Sequence, residues 1–250
     1  MKMAVYRFIR FWVKLAVPKY KVDGVENLPD KPCIVVANHA QMMGPISSIL
    51  YYPRKRSVWC IGEMKKMSEV PAYAFKDFWS LKPKYIRWFY KILSYVIAPI
   101  ADCIFNSADT IGVYKDARLV QTFRDSVDAL KNGKDIILFP ECHDECNNIV
   151  YEFQTGFSEV ARLYYRSEKK AVSFVPMYVA PNLAKLCLGK PIQYDPENPA
   201  KDERLRISDY LKNEITQIAR NLPEHYVVPY ENLPKSQYPK NTDYDKTGQR

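Results

Sequence analysis

Glycine is scarce in this chain, eight in 250 residues, and no glycine-rich tract occurs. That removes the phosphate cradle G-x-x-x-x-G-K-[ST] and any flexible Gly/Ser linker between domains. G-x-S-x-G is missing too, which excludes the nucleophile elbow of a serine hydrolase. No repeat or low-complexity tract is present. No apolar run has the roughly 20 residues of a spanning helix; the longest uncharged run in the aromatic region, residues 92–101, is about half that. Cys142-His143-x-x-Cys146 lacks the second ligand pair that zinc needs, so no metal is expected and the segment reads as an acidic loop. The six cysteines are scattered and read as reduced thiols of a cytosolic protein. Arg7, Arg10 and Lys14 break up residues 1–17 and no small-residue cleavage site follows, which argues against a signal peptide.

What is present is a chain long enough for one sizeable core, with 47% apolar residues. The formal charge is +9 and 14% of residues are aromatic. Positive charge among Trp, Tyr and Phe suits an anionic surface, either nucleic acid or lipid head groups. The aromatics sit on apolar helices instead of alternating with basic residues on a sheet face, so nucleic acid is not an expected partner.

Residues 2–16 place Val5, Phe8, Ile9, Trp12 and Leu15 at helical spacing with Lys2, Arg7, Arg10 and Lys14 elsewhere on the wheel. Such a basic amphipathic helix either caps the core or docks in an anionic bilayer interface. Strands are expected at 33–37, 57–61, 135–139, 172–179 and 185–188. Helices are expected at 46–52, 84–98, 118–131, 156–166 and 202–220. The helix at 84–98 is apolar on nearly all sides, which fits either a buried core helix or an element facing a membrane or acyl chain. Strands alternating with helices predict an α/β fold: one domain over residues 21–221 with a mostly parallel, mixed sheet covered by helices. Residues 1–20 form the N-terminal helical segment. Residues 222–250 form an extended tail, disordered from 239, in which His225 has no role.

Two strand ends carry the chemistry. Ile34-Val35-Val36-Ala37 runs into Asn38-His39, and Ile136-Ile137-Leu138-Phe139 runs into Pro140-Glu141. Open α/β sheets bind ligands at the carboxyl ends of their strands. A histidine there is held by the sheet and open to a cleft, as general-base chemistry requires.

The order of these motifs resembles that of the glycerolipid acyltransferases of the lysophosphatidic acid acyltransferase type, over roughly residues 20–195. The matching blocks are the lead-in from Gly24 to Asn38-His39, residues 59–71, Gly112-Val113-Tyr114-Lys115, Phe139-Pro140-Glu141, Phe153-Gln154-Thr155-Gly156, Val175-Pro176 and Gly189-Lys190-Pro191-Ile192. The resemblance implies an acyl-CoA or acyl carrier protein thioester as co-substrate, no bound cofactor, and a lipid hydroxyl acceptor. His39 would be the general base and Glu141 would line the acceptor side. Asn38, Lys115, Phe139, Pro140 and Gly156 would bind substrate, and the protein would sit peripherally on the cytosolic face of an anionic membrane.

Three departures stand out. The family's H-x-x-x-x-D reads His39-Ala40-Gln41-Met42-Met43-Gly44, so the carboxylate that orients the imidazole is glycine. Phe-Pro-Glu-Gly-x-Arg becomes Phe139-Pro140-Glu141-Cys142-His143-Asp144. Residues 76–105 are longer than the usual connection. Either another group orients His39 (the Gln41 amide oxygen, Glu141, Asp144 or Glu145), or the chain keeps the fold only to bind acyl chains or membrane lipid.

Overall fold

The computed structural model describes residues 2–80 and 82–243. The fold is α/β, with a mostly parallel, mixed sheet and helical cover. In chain order its first half comprises α1 (Lys2–Ala16), β1 (Lys21–Asp23), β2 (Ile34–Ala37), α2 (Met43–Tyr51), β3 (Arg56–Ile61), α3 (Val70–Ala74), α4 (Arg87–Ser107) and β4 (Thr110–Val113). There follow α5 (Leu119–Lys131), β5 (Asp135–Leu138), β6 (Glu141–Glu145), β7 (Tyr151–Phe153), α6 (Glu159–Glu168), β8 (Ser173–Ala180), β9 (Lys185–Leu188), β10 (Ile192–Gln193) and α7 (Ala200–Arg220). Two compact units divide the chain. One runs to Val17 and resumes over Ser57–Asp125; the other combines Pro18–Arg56 with the chain from Ser126 onward.

In the second unit the strands lie in the order β1-β9-β8-β2-β5. β2 is central, parallel to β8 on one side and β5 on the other, with Val35 opposite Val175 and Ile137. Every residue of β2 and β5 is buried. That explains their unbroken apolar runs, since parallel strands covered on both faces have no solvent side to alternate toward. β9 and β10 add antiparallel to β8. α7 packs against β8 and buries Ile207, Leu211, Ile215 and Ala219 at helical spacing.

Two expectations for this unit need correction. Residues 141–145 are not a loop but one strand of an irregular antiparallel hairpin with β7. The chain after Leu222 is extended yet anchored: Tyr226 bridges Lys240, and buried Asn241 accepts from the His225 N–H and donates to the carbonyls of Ala219 and Leu222. His225 is itself buried and meets the Tyr178 hydroxyl at 2.9 Å. Order therefore continues past 239 to 243, and residues 244–250 of the expected disordered stretch lie outside the described residues.

The first unit holds the parallel pair β3–β4 and a helical cluster. Met64, Val70, Ala74, Ala98 and Ala101 form its core, with Tyr73, Trp79, Ile97 and Phe105 packed on it. α4 extends well past the expected end at 98. With the turn before it, Lys84–Ser107 is long and apolar enough to cross a membrane by length and composition, which corrects the expectation that no segment is. Arg87, Lys91 and Asp102 interrupt the run and concealed it. α4 is not a buried core helix either. It buries only Ser94, Ala98, Ala101 and Cys103, while Trp88 is 66% exposed and Ile92, Tyr95 and Val96 also point outward. α1 buries nothing, leaving Phe8, Phe11, Trp12 and Leu15 exposed, and it is tied to α4 by Lys2 on Asp102 at 2.5 Å.

Candidate active site

The site is built at the carboxyl end of β2. Asn38, only 2% exposed, extends the sheet with its side chain: Oδ1 accepts the Val179 N–H at 2.7 Å and Nδ2 donates to the Val179 carbonyl at 3.2 Å. Its amide is occupied at both ends, so Asn38 pins the strand end to β8.

Beyond His39 the backbone turns through two consecutive left-handed residues, Ala40 (φ 44°) and Gln41 (φ 54°). Such a conformation costs an L-residue about 1–2 kcal/mol, and strain of this kind concentrates at functional sites. Its effect here is specific. The turn carries the Gln41 main-chain carbonyl back to His39 Nδ1, 2.5 Å away. Nδ1–H donates to that oxygen, which leaves the Nε2 lone pair as the basic position; among the described residues Nε2 has no hydrogen-bond partner. The orienting group is thus a backbone carbonyl two residues on, in place of a carboxylate five residues on. The Gln41 amide faces elsewhere: its Nε2 donates to the Glu231 carbonyl and the Tyr238 hydroxyl at 3.1 and 3.0 Å. Asp144 and Glu145 lie exposed on β6. Neither the Gln41 amide oxygen nor these acids orient the ring.

Gly44 is where the loop closes on itself, its N–H donating to the His39 carbonyl at 3.1 Å. A Cβ there would stand 2.3 Å from that carbonyl oxygen and 2.9 Å from Cε1 of Phe139. Position 44 has no room for an aspartate in this loop.

Glu141 is 5% exposed, and both its oxygens grip the main chain: Oε2 accepts the His39 N–H at 2.5 Å and Oε1 the Tyr151 N–H at 2.9 Å. It ties the two strand ends together and holds the His39 backbone. Burial pushes its pKa up to about 7, against the opposing pull of the two N–H donors. The His39 ring lies 5.3 Å from the Phe139 ring and 5.7 Å, edge to face, from Tyr230. Burial lowers its pKa, and the bond to the Gln41 carbonyl opposes the shift. The ring is therefore neutral near pH 7, as a base must be.

Pro140, Gly156 and Lys115 are the other expected site residues. The Pro140 carbonyl accepts the Gln154 N–H at 2.8 Å. Gly156 is the second residue of the turn Thr155–Ser158, where a Cβ would meet no atom within 4 Å. Lys115 is exposed just past β4 and belongs to the first unit. Among the described residues no group of His, Cys, Asp or Glu is placed to hold a metal ion. Sequence reasoning missed Tyr151, Tyr230, Glu231 and Tyr238. They reach the site from a hairpin and a tail with no periodic pattern.

The two strand ends fall within residues 19–180, which match the family model described as Acyltransferase. The chain belongs to that family. Its fold is similar to the crystal structure of the 1-acyl-sn-glycerophosphate (LPA) acyltransferase PlsC from Thermotoga maritima, with a TM-score of 0.51 and 18% identity, covering 89% of this chain and 80% of that one. No curated protein matches the chain.

Proposed function

We propose that the protein moves a fatty acyl group from a thioester, on coenzyme A or acyl carrier protein, to a hydroxyl of a glycerolipid-like acceptor. His39 Nε2 takes the hydroxyl proton as the oxygen attacks the thioester carbonyl. The tetrahedral adduct collapses with loss of the C–S bond, the imidazolium returns its proton to the departing thiolate, and an ester and a free thiol result. Glu141 and Asn38 hold the main chain that carries the base. Lys115 is the candidate cation for an acceptor phosphate, and Phe139, Pro140 and Gly156 are candidates for the acyl side.

The observation that carries this reading is the bond from His39 Nδ1 to the Gln41 carbonyl. In a serine-protease triad, replacing the orienting acid by an amide costs roughly 10⁴ in rate because the wrong tautomer forms. A carbonyl acceptor keeps the correct tautomer and avoids most of that loss. It does so without the carboxylate's charge to stabilise the imidazolium. Seven motif blocks in family order, within a chain of the Acyltransferase family, support the same reading.

We assign the exposed aromatic faces of α1 and α4 to a membrane interface, with the protein peripheral on the cytosolic side. α1 carries only basic charge, and a shallow groove on α4 is lined by Trp88, Lys91, Ile92 and Tyr95.

The test is acyl transfer from acyl-CoA or acyl carrier protein to a panel of lyso-lipids and alcohols. His39→Ala should lose about 10²–10⁴ of the rate, the usual share of a general base. No transfer with any pair, together with tight fatty-acid or liposome binding, would replace this proposal by a lipid-binding role.

A further inference from the structure

The chain from Tyr226 to Asp243 forms a strap, closed at its root by the Tyr226–Lys240 bridge and by Asn241. It places Tyr230 among three rings: edge to face on His39 at 5.7 Å, on His143 at 5.5 Å and tilted on Tyr151 at 5.7 Å. Two contacts fasten the strap to the site. The Gln41 amide holds both the Glu231 carbonyl and the Tyr238 hydroxyl. His143 Nδ1 meets the Glu231 carboxylate at 3.3 Å. The loop that orients the base thus also carries the clasp of the strap, and the aromatic so delivered rests on the base itself.

We infer that Tyr230 is a positioning residue for His39: the strap supplies its ring, the Gln41 side chain clasps the strap, and Tyr230 and Phe139 together hold the imidazole and shield it from water. As to activity, the inference rests on the acyl-transfer reading. As to His39 it stands alone. The titratable groups around the ring are Glu141 on β6, whose carboxylate takes the His39 N–H, His143 on β6, Tyr151 on β7, and Tyr230, Glu231 and Tyr238 on the strap. None of them bonds the imidazole nitrogens. The ring contact with His39, and the shielding it gives, is what Tyr230→Ala removes at the imidazole.

The experiment is an NMR titration of the full chain with labelled histidine. Its three histidines allow assignment through the signal lost in His39→Gln. Tyr230→Ala should shift the His39 titration upward, toward the ordinary imidazole value, and Tyr230→Phe should restore it. Gln41→Ala, which opens the clasp and leaves the Gln41 carbonyl in place, should move it the same way. The acidic limb of kcat/KM should follow each shift. An unmoved His39 titration in both Tyr230→Ala and Gln41→Ala overturns the inference. If Tyr230→Ala does not fold, Gln41→Ala alone decides. If the protein transfers no acyl group at all, the acyl-transfer reading fails while the titration still decides on Tyr230.

Discussion

At the scale of single residues, the site replaces a side-chain function with main-chain geometry. On the proposed acyl-transfer reading His39 works in its neutral form, so activity should rise with pH as the ring loses its proton. Burial lowers that pKa, and the acidic limb of kcat/KM should lie below the ordinary imidazole value of 6.5. Glu141 is shifted the other way. Its folded pKa of about 7 exceeds the ordinary 4.5, so its contribution to stability is complete below pH 4.5 and is lost as pH rises through about 7. Glu141→Gln should abolish that loss in urea unfolding followed against pH. It should also cost about 1–3 kcal/mol, because one amide oxygen cannot accept both N–H groups and the second is left facing a donor. At Gly44, restoring the family's aspartate should lower activity. The added Cβ must displace the His39 carbonyl or Phe139, so Gly44→Ala and Gly44→Asp should each lose about 1–3 kcal/mol by chemical denaturation.

At the scale of elements, the strap gives a further expectation. Asn241, itself buried, satisfies the His225 N–H and at least two carbonyls near the end of α7, those of Ala219 and Leu222. Asn241→Ala should cost about 1–3 kcal/mol and make the chain after Leu222 the first segment cut by a protease. This region also marks the limit of what sequence reasoning reaches. The apolar runs of β2, β5 and β8 and the helical period of α5 and α7 are patterns over neighbouring residues, so those elements are legible to within a few positions. Glu141-Cys142-His143-Asp144-Glu145 carries no strand signal, because it pairs only at its two ends. His39 and Glu141 were identifiable as candidates because strand ends place them. Their partners were not: Tyr230 lies almost 200 residues from His39 in sequence, and no local pattern joins them.

At the scale of the whole molecule, composition and surface agree. The charge of +9 accompanies one unit whose helices turn their largest apolar side chains outward, among them Phe8, Trp12, Trp88 and Ile92. Isolated exposed apolar residues are ordinary, but a series of them along two packed helices calls for a partner. Sedimentation with anionic vesicles should weaken when Trp12 and Trp88 are both changed to serine. It should weaken again in high salt, where the screening length falls to about 3 Å near 1 M. Neutral vesicles should retain the aromatic dependence and lose most of the salt dependence, since basic residues near an anionic leaflet contribute about 1 kcal/mol each.

The left-handed pair Ala40-Gln41 has a consequence for heredity. An oxygen that every amino acid possesses cannot be deleted by exchanging one side chain for another. The usual genetic experiment, alanine at the residue that steadies the imidazole, is therefore blind to this contact. Only a change that bends the peptide differently, such as a proline at 41 or a residue inserted before Met42, would silence it.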